Sequence, residues 1–178
     1  MSECCKHRIP HSHCWPDDQD YLDGATEIRV PSSAQLRAYW DADILDVNGV
    51  PPGTIISVED GFVVRFRVEL HGHLWRCMTG CWCFDIGFTA IGDGPDFNLS
   101  DKFAPGTFEI HDWKGCDTRC IEKSVPVPKE TIPADACGTL YECGARFALH
   151  CCCEPDHQHR GKRPILVGYE ALEEREFY

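Results

Sequence analysis

The chain has 178 residues, enough for one domain with its own core. Hydrophobic residues make up 43% and charged residues 26%, a globular composition, and the formal net charge is −12. Such an acidic surface repels phosphate backbones and anionic lipid, which excludes nucleic acid and the membrane as general partners, and no run approaches the ~18–20 apolar residues of a membrane-spanning helix.

Residues 1–25 are polar, aperiodic and rich in Asp and Pro, and are read as an extended N-terminal arm. The opening "MSECCKHRIPHSHCWPDDQD" has no apolar core of a secretory signal peptide, so the expected location is cytoplasmic by default. Thirteen cysteines in a reducing compartment imply thiols or metal ligands; if they are disulfides, the expected location becomes the surface or extracellular space.

Residues 26–178 are read as one β-sandwich domain. The segment "SSAQLRAYWDADIL", 32–45, is the best helical candidate, one or two turns long. In "FVVRFRVEL", Phe62, Val64, Phe66, Val68 and Leu70 share one face, and Val63, Arg65, Arg67 and Glu69 share the other. That period of two marks a half-buried strand. In "CWCFDIGFTAI", Trp82, Phe84, Ile86, Phe88 and Ala90 lie opposite Cys81, Cys83, Asp85, Gly87 and Thr89. The run from Thr139 to Cys153 alternates in the same way, and "PILVGY" at 164–169 is a further strand. "SVPVPKETIP" carries prolines that cannot donate to a ladder, so it belongs at a sheet edge. Turn signals at 46–53, 91–97, 104–107 and 159–164 divide the runs. The expected fold is all-β, an antiparallel β-sandwich of jelly-roll or immunoglobulin-like type behind an extended N-terminal arm.

Two clusters carry the chemistry. The first holds Cys4, Cys5, His7, His11, His13 and Cys14; the second holds His150, Cys151, Cys152, Cys153, His157 and His159. Thiolate and imidazole suit a tetrahedral zinc ion, with copper(I) the other candidate. On a strand, His150 and Cys152 face one way and Cys151 and Cys153 the other. The bland reading makes Cys151 and Cys153 small core hydrophobes.

A central set comprises His71, His73, Cys77, Cys81 and Cys83, and a third comprises Cys116 and Cys120 with His111 nearby. Cross-strand cysteines in a sandwich also fall within disulfide reach, and spacing alone leaves the connectivity open. No Gly-x-Ser-x-Gly elbow and no Gly-rich phosphate loop is present.

The expected function is therefore a non-enzymatic structural or assembly protein. Its Cys/His-rich ends bind metal, zinc first, or cross-link subunits, and self-association is the expected partnership. Two resemblances supply alternatives. His71-Gly72-His73 resembles the His-x-His of cupin metal sites, which implies a metal-dependent enzyme using His71 and His73, although the acidic ligand that follows in that motif is missing. The Cys4-Cys5 arm ahead of a small sandwich resembles subunits of disulfide-linked bacterial surface fibres, which implies a disulfide-stapled fibre subunit.

Overall fold

Strict alternation between apolar and polar side chains dictates the architecture. The structure, a computed structural model, describes residues 25–28, 36–51, 55–56, 59–115, 119–133, 139–150, 166–172 and 175–177. Its strands are β1 (Ala25–Ile28), β2 (Leu36–Leu45), β3 (Ile55–Ile56), β4 (Phe62–Gly72), β5 (Thr79–Ala90), β6 (Phe97–Asn98), β7 (Glu109–Lys114), β8 (Cys120–Val127), β9 (Thr139–His150), β10 (Leu166–Ala171) and β11 (Arg175–Phe177). Two short 3-10 turns, Leu74–Cys77 and Leu99–Lys102, interrupt them, and no α-helix occurs among the described residues.

Two sheets pack face to face, the expected all-β sandwich. The smaller sheet is β2-β4-β8, antiparallel throughout. In the larger sheet β9 is central. It pairs antiparallel with β5 across Tyr141–His150, and on its other side with β10 and β11. Strand β1 extends the sheet beyond β10, and β3 runs parallel to β11. At its start β5 also carries β7, and further along it carries β6.

The core lies between the inward faces. Phe62, Val64, Phe66, Val68 and Leu70 of β4 are buried against Trp82, Phe84, Ile86 and Phe88 of β5, as the period of two predicts. Ring centroids of Phe66 and Phe84 are 5.0 Å apart, and those of Trp40 and Phe147 are 4.8 Å apart at 70°. Such pairs contribute about 0.5–1.5 kcal/mol each beyond the area they bury. The second pair depends on Gly168 of β10, where a Cβ would come within 2.1 Å of the Phe147 ring and 2.7 Å of Trp40 Nε1.

One expected element is corrected. Residues 36–45 of the proposed helical segment form strand β2, fully paired with β4 from Leu36↔Gly72 to Leu45↔Val63. Leu36, Ala38, Trp40, Ala42 and Ile44 take the core face at a period of two. On the opposite face, Asp43 Oδ2 accepts bonds from Arg65 Nη2 at 2.7 Å and Arg67 Nη2 at 3.0 Å. A helix would scatter both sets. Strand β8, which contains Pro126, pairs with β4 alone among the described strands, as a proline-bearing edge strand should.

Candidate metal centre

The outward face of the larger sheet is built by the same alternation that builds its core. Trp82 and Phe84 point inward, so Cys81 and Cys83 share the outer face at the start of β5. Cys83 pairs in register with Glu109 of β7, and Trp82 pairs with Ile110. The register then shifts by one residue before Gly80 meets Trp113. This bulge opposite Cys81 lets Ile110 and Trp113 both serve the core while His111 faces outward beside Cys81. Bulges commonly re-aim a side chain in this way.

The result is a cluster of thiol, imidazole and carboxylate. Ligand atoms of Cys81, Glu109 and His111 all lie within 4.8 Å of one another. Cys81 Sγ is 3.4 Å from His111 Nδ1 and 3.9 Å from Cys83 Sγ. Glu109 Oε2 lies 4.0 Å from Cys81 Sγ and 2.7 Å from His111 Nε2. A tetrahedral zinc ion, with Zn–S of about 2.3 Å and Zn–N of about 2.0–2.1 Å, sets its ligand atoms roughly 3.5–3.8 Å apart. The two distances from Cys81 Sγ, to His111 Nδ1 and to Cys83 Sγ, match those edges closely. Because Glu109 engages the far nitrogen of His111, it fixes the ring with Nδ1 toward Cys81 Sγ. Metal-bound histidines are usually held by such a carboxylate.

Burial grades across the cluster. Cys81 is fully buried, Cys83 is half-buried and the His111 side chain is 37% exposed. A buried thiol resists ionisation unless a cation stands beside it. From β9, His150 pairs in register with Cys81 and is itself buried. The close approach of the two strands there is made by Gly80, where a Cβ would meet the His150 carbonyl oxygen at 2.1 Å.

A cavity of about 580 Å³ adjoins the cluster. Cys83, Glu109 and His150 line it, together with Asp85, Ser100 and Arg146. Ser100 Oγ donates to Asp85 Oδ1 at 2.9 Å, fixing one wall.

Of the two Cys/His clusters at the chain ends, His150 alone falls within the described residues, and it pairs in register with Cys81. Cys4, Cys5, His7, His11, His13, Cys14, Cys151, Cys152, Cys153, His157 and His159 lie outside them. Spacing places Cys81 and Cys83 in one set and His111 in another, and the β5–β7 pairing brings Cys81 and His111 together. Glu109 was not singled out. Its signal is the alternation Glu109-x-His111, the counterpart on β7 of Cys81-x-Cys83 on β5.

The His71-Gly72-His73 pair does not enter this cluster. His71 Nε2 is 2.7 Å from Oε1 of the fully buried Glu69, which also accepts from Arg119 Nη2 at 2.8 Å. His73 is exposed just before the first 3-10 turn. Among the cysteines, Cys81, Cys83 and Cys143 are thiols, and Cys120 is disulfide-bonded. No family model matches the chain, and no curated protein matches its sequence.

Proposed function

We propose that this chain is a non-enzymatic, zinc-binding β-sandwich protein whose ion braces β5 against β7. Cys81, Cys83 and His111 hold the ion, and Glu109 orients His111 from behind. The observation that carries this reading is the placement of His111 Nδ1 and Cys83 Sγ at 3.4 and 3.9 Å from Cys81 Sγ, close to the edge lengths of a tetrahedral site. Two thiolates favour zinc over the hard cations magnesium and calcium, which take oxygen ligands. Copper(I) shares the preference for sulfur and is the competing occupant.

The Cys/His-rich ends extend the same chemistry. His150 ends β9 beside Cys81, and the sequence runs straight on into Cys151-Cys152-Cys153. That continuity supports a role for the C-terminal cluster at or next to this site, with the N-terminal cluster available to staple the arm or a second subunit.

Elemental analysis of the full chain and of a Cys81→Ser/Cys83→Ser double variant tests the site. The variant should lose one equivalent of zinc per chain whatever the ends bind. Equal zinc in both proteins would remove the claim.

A further inference from the structure

Cys81 and Cys83 are both thiols, stand two residues apart on β5 and share its outward face. Their Sγ atoms are 3.9 Å apart. A disulfide needs about 2.05 Å between its sulfurs and about 4.4–6.8 Å between its Cα atoms. Two residues along a strand span about 6.4–6.8 Å, so the pair lies at the upper end of that range. Rotation of the two side chains closes the gap and leaves β5 in its ladder. A bridge at the limit of the allowed span is strained, and strained disulfides are the readily reduced ones.

The two sulfurs differ in access. Cys81 is fully buried, whereas Cys83 is half-buried and forms part of the wall of the cavity of about 580 Å³. A molecule the size of hydrogen peroxide reaches Cys83 through that space, while Cys81 is closed to solvent. Oxidation-sensing cysteines combine these features: an accessible sulfur, and a second thiol poised beside it to resolve the oxidised form. Cys143, also a thiol, is buried in the core, where the packing shields it from an oxidant.

We propose that Cys81 and Cys83 form a reversible dithiol–disulfide switch that responds to hydrogen peroxide. Cys83 Sγ attacks one peroxide oxygen; the O–O bond breaks, Cys83 becomes a sulfenic acid, and water leaves with the thiol proton. Cys81 Sγ then attacks Cys83 Sγ; the S–O bond breaks, the disulfide forms, and a second water leaves with the Cys81 proton. The two thiols give up two electrons in all, and the peroxide is reduced to water. A dithiol reductant restores the pair by exchange. Because Cys81 also belongs to the cluster with Glu109 and His111, closure takes a sulfur donor from that cluster. The bond itself needs no metal; only this last consequence rests on the metal site proposed above.

The test uses the full chain, treated with a chelator so that the bond is examined apart from the ion. Hydrogen peroxide is added in small excess, the remaining thiols are blocked, and the chain is cut with chymotrypsin, which cleaves after Trp82, between the two cysteines. The fragments carrying Cys81 and Cys83 should stay joined in mass spectrometry, and dithiothreitol should separate them. Cys77→Ser should keep this link, and Cys83→Ser should abolish it. Oxidation should also lower zinc uptake by one equivalent more in the parent than in Cys83→Ser, a comparison that cancels any loss at the chain ends. Fragments that separate without reductant would overturn the switch and leave the metal site standing. So would either cysteine joined instead to another, Cys77, Cys151, Cys152 or Cys153 included. A link between Cys81 and Cys83 with no such difference in zinc uptake would overturn the metal consequence and leave the switch standing.

Discussion

Glu109 shows how one side chain sets the chemistry of its neighbour. A histidine bound through one ring nitrogen is held in place by whatever engages the other, and Glu109 Oε2 engages His111 Nε2 at 2.7 Å. Replacing Glu109 by Gln keeps the shape and removes the charge. We expect Glu109→Gln to fold normally and to weaken metal binding about 10–100-fold, the usual cost of losing such a partner. Competition against a chelator of known affinity measures it, and unchanged affinity would show that Glu109 has no hold on the ligand. A residue-level reading of the sequence did not reach Glu109, because a carboxylate in an acidic chain carries no information until its strand partner is known. Cys81 and Cys83 were visible as a pair on one face, since alternation alone places them there. Their meeting with His111 needs the β5–β7 register, which lies some thirty residues away along the chain and leaves no local signature.

At the scale of the element, strands β5 and β9 illustrate what alternation encodes and what it omits. Their inward faces were legible in full, as were β4 and the edge position of β8, because one buried face per strand enforces a period of two. The local pattern of residues 32–45 suggests one or two helical turns, where the fold has strand β2 from residue 36. Its outward residues include Asp41 and Asp43, poor strand formers, and they are tolerated because Arg65 and Arg67 on β4 receive them. Arg67 is itself nearly fully buried, so this pairing is a tertiary feature that no local window contains. Gly80 was equally opaque as a single letter. It permits β5 to pass against the His150 carbonyl at a distance no side chain allows. Gly80→Ala should therefore push the two strands apart at the metal cluster. We expect a loss of about 1–3 kcal/mol, typical of forced overpacking, with weaker metal binding in the same variant. Chemical denaturation measures the first and zinc titration the second. A variant as stable as the parent, with full affinity, would mean the strands relax freely there.

For the molecule as a whole, two sheets enclose a core dense in aromatic rings, and the proposed ion sits outside that core on the far face of the larger sheet. Small zinc domains depend on their metal to fold because they lack such a core. Here more than thirty buried apolar side chains span both sheets, so the ion serves the local arrangement of β5, β7 and the end of β9. The sandwich class followed from many short alternating runs with turn signals between them. The described cluster is a further group, formed between β5 and the outermost described strand β7, and its position did not follow from composition or spacing. The measurement that tests the central claim most directly is an anomalous difference map, at the zinc absorption edge, from crystals of the full zinc-loaded chain. The account predicts a peak about 2.3 Å from both Cys81 Sγ and Cys83 Sγ and about 2.0–2.1 Å from a ring nitrogen of His111. A map with ordered Cys81, Cys83 and His111 side chains and no peak between them would contradict it.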